Sequence, residues 1–168
     1  QNGVRFSTGS DAKGAFWANI EVVQAKNVFY SFASEACKAS WSSNAAGTLS
    51  CPGKTKDVNI GYVIPQGEPI REDGAKENEP GLITRPDNTA AGYITGYYPF
   101  VAIKNGDRFK ATVMCEGGMT NCDIYFTLQY RIGSEPVQTL GQWHEVNEGK
   151  WTRVDIDLSA LAGQNVQF

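Results

Sequence analysis

The residues of this chain whose types bear on chemistry are one histidine, four cysteines, paired carboxylates near the C-terminal end, and aromatics spaced along strand-like runs. A serine triad needs a base, and His144 is the sole histidine. No Gly-x-Ser-x-Gly motif accompanies it. His144 sits in Trp143-His144-Glu145, within an extended run where a surface histidine is ordinary. Glycoside hydrolysis needs two carboxyls facing each other across a sugar bond. Asp155 and Asp157 share a strand face, and Glu145 and Glu148 are close in sequence. No neighbour in sequence would hold one member of either pair protonated, so both read as solvated strand ends. The expectation is a chain with no catalytic residue.

Cysteines occur as two local pairs, Cys37/Cys51 and Cys115/Cys122. Four cysteines allow three connectivities. Neither pair has the two-residue spacing of a zinc site, and one histidine is too few to complete one, so disulfides are the better reading. An even count with none left over points to an oxidising compartment.

One register favours a particular pairing. Phe109, Ala111, Val113 and Cys115 alternate with polar residues, and so do Ile124, Phe126, Leu128, Tyr130 and Ile132. Folding these runs back across Glu116–Asn121 sets Cys115 opposite Cys122, Val113 opposite Ile124, Ala111 opposite Phe126 and Phe109 opposite Leu128. That hairpin predicts Cys115–Cys122 and, by elimination, Cys37–Cys51. Its outer face would pair Thr112 with Tyr125, Lys110 with Thr127 and Arg108 with Gln129. A turn at Gly133–Pro136 would return Gln138, Leu140, Gln142 and His144 to the same face with Trp143 inward, and one bulge would turn Trp143 outward instead. On the following run Trp151, Arg153, Asp155 and Asp157 point out, because Val154, Ile156 and Leu158 point in. Aromatic faces suit the C–H faces of sugars, and planar amides and guanidinium groups suit their hydroxyls. The expected ligand-binding set is therefore Tyr125, Gln129, Arg131, Trp143, His144, Trp151 and Arg153. Ordinary solvated sheets are also polar outside; the outward Tyr and Trp favour a binding surface.

The elements behind this face are short strands and turns. Eighteen glycines and seven prolines punctuate the chain, and no segment holds a helical apolar period. Strands are expected at Ala15–Val23, Val28–Ala33, Ala39–Ser42, Asn59–Ile64, Tyr93–Ile94, Phe100–Ile103, Arg108–Met114, Asp123–Ile132, Val137–Val146 and Trp151–Leu158. A helical turn is expected at Ser159–Gly163. Pro65–Asn88, rich in acidic residues, reads as a long loop. Trp17, Trp41, Phe29 and Phe32 read as core, while Tyr97-Tyr98-Pro99 suits either a loop-end site or a structural corner. With 168 residues, this predicts a single all-β domain over 1–168, an antiparallel jelly-roll β-sandwich with two disulfides.

Net charge is −3 with no basic block, which disfavours nucleic acid and anionic membranes as partners. No apolar run has the length of a membrane span, so membrane insertion is not expected. The first residues lack a basic stretch followed by an apolar one, which suits a mature chain from Gln1 after signal removal or a domain boundary. No Asn-x-Ser/Thr sequon occurs.

The segment Trp151-Thr-Arg-Val-Asp-Ile-Asp-Leu-Ser-Ala-Leu-Ala-Gly-Gln-Asn-Val-Gln-Phe168 resembles the tail of bacterial jelly-roll domains, including carbohydrate-binding modules with a galactose-binding-like fold. Phe29–Trp41, Cys51-Pro-Gly53, Pro80-Gly-Leu82 and Asp107–Arg131 also resemble secreted bacterial domains of unknown function. The first resemblance implies a non-catalytic polysaccharide- or glycan-binding module, extracellular and part of a larger secreted protein, with no cofactor beyond a structural calcium held by loop carboxylates. It also implies a longer last strand, so the strand from Asn165 reads as truncated. Two alternatives stand beside it. One is an adhesive surface domain that accepts a neighbour's strand at an exposed final edge. The other is a glycan-processing enzyme of jelly-roll type.

Overall fold

The structure is a computed structural model that describes residues 4–8, 15–24 and 27–168. The expectation about the chain start at Gln1 lies outside those residues. The described chain is all-β and antiparallel, built as two sheets. The first has seven strands: β1 (Val4–Thr8), β4 (Ser40–Ser43), β7 (Tyr93–Tyr97), β8 (Val101–Ala102), β10 (Asp123–Ile132), β11 (Gln138–Val146) and β13 (Asn165–Gln167). Its order is β4-β7-β1-β10-β13-β8, with β11 along the other edge of β10. The second has six: β2 (Ala15–Gln24), β3 (Asn27–Ser31), β5 (Tyr62–Gln66), β6 (Gly81–Arg85), β9 (Arg108–Cys115) and β12 (Thr152–Asp157). Its order is β12-β9-β2-β6-β5, with β3 on β2. Single 3-10 turns span Ala36–Lys38 and Ser159–Leu161, the latter within the expected helical turn. Among the described residues no helix is long and apolar enough to cross a membrane.

The two sheets pack on a shared apolar core. Trp17, Phe109 and Val113 of the second sheet meet Ile94, Ile124, Phe126 and Leu128 of the first, all at 4% exposure or less. Trp17 lies edge-on to Phe126 at 4.8 Å, and Phe32 edge-on to Tyr98 at 4.9 Å. These edge-to-face contacts suit the aromatic quadrupole and fill the space between sheets.

Both disulfides form as expected, Cys37–Cys51 and Cys115–Cys122, with Cα–Cα distances of 5.0 and 6.0 Å. The hairpin used to infer the second does not. β9 and β10 belong to opposite sheets: β9 pairs with β2 and β12, β10 with β1, β11 and β13. Their apolar edges both face the core, so the bridge staples one sheet to the other. An inward alternation looks the same in sequence whether two strands lie side by side or stack across a core. The cysteines, at the ends of both runs, fit either arrangement.

Three other expectations change. The acidic stretch 65–88 is not one loop, because Gly81–Arg85 forms β6, inserted between β2 and β5 and buried through Thr84. Phe29 is 45% exposed rather than core. The final strand presents no free edge, since β13 pairs with β10 on one side and β8 on the other, and Phe168 is 2% exposed.

Candidate binding surface

Because β9 and β10 are in different sheets, the expected seven-residue set divides. Tyr125, Gln129, Arg131 and His144 lie on the outside of the first sheet. Trp151 and Arg153 lie on the outside of the second. Trp143 points inward, 6.3 Å from Trp17 and perpendicular to it. The phase of β11 is the one that puts His144 out: Tyr125 is paired with His144, Phe126 with Trp143 and Thr127 with Gln142. A bulge between Leu128 and Gln129 skips Leu140, which packs against the core, and then sets Thr139 beside Gln129. It shifts the phase of Gln138 and Leu140 and leaves Trp143 inward.

The first sheet's outer face is a patterned platform. Tyr125 and His144 stack with centroids 4.3 Å apart and planes 9° from parallel. Asp123 Oδ1 lies 2.7 Å from His144 Nε2 and fixes the imidazole from the far side. The same row of the sheet continues from Tyr125 to Ser7 of β1 and on to Tyr93 of β7. Two strand spacings, about 10 Å, therefore separate Tyr125 from Tyr93 along one line. In neighbouring rows Gln142 donates to Thr127 Oγ1 at 3.0 Å and Gln129 to Thr139 Oγ1 at 3.1 Å. Arg131 Nε donates to Gln167 Oε1 at 2.7 Å, which aligns its guanidinium with the sheet. Tyr97 faces the same side. Burial pushes its phenol up in pKa while the nearby Arg131 pulls it down. These cross-strand bonds hold donors and acceptors in place before any ligand arrives.

Tyr93 and Tyr97 stand on this face outside the expected set. Tyr93-Ile94-Thr95-Gly96-Tyr97 alternates, with Ile94 at 0% exposure, and that alternation already places both tyrosines outside. Tyr98 is the structural member of the tyrosine pair: it is buried, and its hydroxyl donates to the Phe32 carbonyl at 3.0 Å.

At the far edge of this face, β4 carries Ser40 opposite Tyr97 and Ser42 opposite Thr95. Beyond it lies a pocket of about 400 Å³ lined by Ser40, Ser42, Thr48, Leu49, Trp41 and the Cys37–Cys51 bridge, with Ala39 and Gly47.

The second sheet's outer face has a different character. Met114, Ile83, Tyr62 and Ala18 form a buried apolar cluster there, with Trp151 packed against it. Residues 67–80 fold over this end. Gly117 N donates to the Ile70 carbonyl at 3.0 Å, Gly149 N donates to Glu72 Oε1, and the Arg71 guanidinium caps the Trp151 ring at 5.1 Å. Gly117 permits this approach, since a Cβ there would meet the Arg71 carbonyl at 2.5 Å. Trp151 is thus occupied by protein on its ring face. Beside it runs a groove of about 500 Å³ carrying charges of both signs, among them Glu21, Glu79, Lys110 and Arg153. Asp155 and Asp157 are ion-paired to Arg108 at 2.6 and 3.4 Å, an exposed network and not a facing acid–base pair. Among the described residues no group of three or more His, Cys, Asp or Glu side chains is placed to hold a metal ion.

The chain matches no protein family, no curated protein and no solved structure, so the surface is interpreted from its own geometry.

Proposed function

We propose that this protein is a non-catalytic, extracellular glycan-binding module that engages polysaccharide across the outer face of its first sheet. The observation that carries the reading is the Tyr125–His144 stack, 37% exposed at Tyr125 and collinear with Tyr93. His144 covers one face of the Tyr125 ring, and a sugar ring placed on such a row meets the aromatic surface left exposed with its C–H face and hydrogen-bonding side chains with its hydroxyls. The ladders of a sheet hold its outward side chains in rows, and such a row suits an extended chain more than a single small molecule. The two closed disulfides accord with an oxidising, secreted setting, and membership of a larger secreted protein belongs to the same proposal.

Affinity electrophoresis through gels containing soluble polysaccharides tests it. The chain is expected to be retarded by at least one polysaccharide. Tyr125→Ala and Tyr93→Ala should each weaken retardation roughly fivefold, the equivalent of about 1 kcal/mol per lost aromatic contact. Trp151→Ala, on the opposite face, should leave it unchanged. Equal loss in Trp151→Ala, or no retardation on any polysaccharide, refutes the reading.

A further inference from the structure

We infer that the pocket beside the Cys37–Cys51 bridge is a subsite that seats an uncharged hexose unit of the glycan bound on the platform; the inference rests on the glycan-binding reading above. The volume, about 400 Å³, falls in the range of small-molecule sites. No charged side chain lines it, although a fifth of the chain's residues are charged. A carboxylate, sulfate or ammonium entering it would lose water without meeting a counter-charge, which is costly. A neutral ring with hydroxyls would not.

The walls supply what such a ring needs. The hydroxyls of Ser40, Ser42 and Thr48 make no hydrogen bond with any described residue, so they are free to donate and accept. Leu49, Ala39 and the disulfide supply apolar surface between them. The position is set by register: Ser40 is paired with Tyr97 and Ser42 with Thr95, so the pocket adjoins the platform's edge. The frame is also rigid. Trp41 is 2% exposed and its Nε1 donates to the Ala36 carbonyl at 2.7 Å. Leu49 N donates to the Trp41 carbonyl at 2.8 Å, and the disulfide closes the far end. Preorganisation of this kind lowers the entropic cost of seating a ligand.

Isothermal titration with neutral gluco-, manno- and galacto-oligosaccharides, and with uronic-acid oligosaccharides, provides the test. The double variant S42A/T48V removes two hydroxyls with little change of shape. It should weaken the best neutral ligand about tenfold, two hydrogen bonds' worth, and leave any uronate ligand unchanged. A blocking variant, Gly47→Phe, gives a second measurement: Gly47 lines the pocket and a Cβ there meets nothing within 4 Å, so the substitution adds bulk to the lining with no clash at its Cβ. It should abolish the pocket's share of neutral binding while circular dichroism stays native. Neutral affinity unchanged in both variants, with Tyr125→Ala still weakened, overturns the subsite and leaves the platform standing. Preferential loss of uronate binding also overturns it. No binding of any oligosaccharide by the unmodified chain overturns both.

Discussion

Glu145 occupies a costly position for a carboxylate. It faces inward from β11, paired with Ile124, and is 6% exposed. Burial pushes its pKa up, and the nearby carboxylates of Glu72 and Glu148 push the same way; a hydrogen bond with Thr152 and the neighbouring His144 oppose them. The folded chain therefore holds this proton more tightly than the unfolded chain, whose ordinary value is 4.5. Its contribution to stability is fully present below that value and is lost as pH rises through the higher folded value. Glu145→Gln keeps a partner for Thr152 and removes the charge. It is expected to melt a few degrees above the unmodified chain at pH 7, with the gap closing toward pH 4. Thermal melts across pH 4–7 check this, and equal melting at pH 7 refutes it. The sequence reads Glu145 as a solvated strand end, and the structure corrects this: the phase that turns Trp143 inward turns Glu145 inward with it, to 6% exposure. What sequence did not show is the cover, because Glu72 reaches the site from a segment more than seventy residues away.

Between neighbouring strands, the contact of β4 with β7 turns on Gly96. A Cβ there would meet the Trp41 ring at 2.4 Å. Trp41 cannot yield easily, since its ring packs edge-on to Tyr98 at 5.8 Å and its indole N–H is committed to Ala36. Gly96→Ala is expected to cost about 1–3 kcal/mol, as overpacked cores do. It should also disturb the pocket that Trp41 lines, so neutral-sugar affinity falls with stability. Chemical denaturation together with titration reads both; a loss of neither shows the ring has room to move. Strand positions were the most readable part of the sequence at this scale, with Asp123–Ile132 found to the residue. Strand partners were not. Alternation reports which face of a strand is dry, and says nothing of whether the strand's neighbour lies beside it or across the core. β6 was hidden for another reason. Its five residues, Gly81-Leu-Ile-Thr-Arg85, sit between Pro80 and Pro86 in an acidic stretch whose composition describes the cover over Trp151, not the strand.

Across the whole molecule, the two disulfides do different jobs. Cys115–Cys122 spans the crossover from the second sheet to the first, a separation of seven residues. Cys37–Cys51 closes a separation of fourteen beside the edge strand β4 and lines the pocket there. The chain-entropy argument gives about 2.5 kcal/mol for the shorter loop and about 3 for the longer. The platform's Tyr125 row is held by pairing among β11, β10, β1 and β7. None of those ladders needs the sheet-to-sheet staple once the core is packed. Removing Cys115–Cys122 as the double alanine variant should therefore lower the melting temperature by roughly 5–10 °C while polysaccharide retardation at 20 °C is kept. Removing Cys37–Cys51 in the same way should lower melting by a similar amount and also weaken neutral-sugar binding, because the pocket wall goes with it. Paired melting and affinity measurements on the two variants separate these roles. If the Cys115/Cys122 variant loses retardation while still folded, the binding surface depends on how the sheets are held together, and the platform does not act through the first sheet alone.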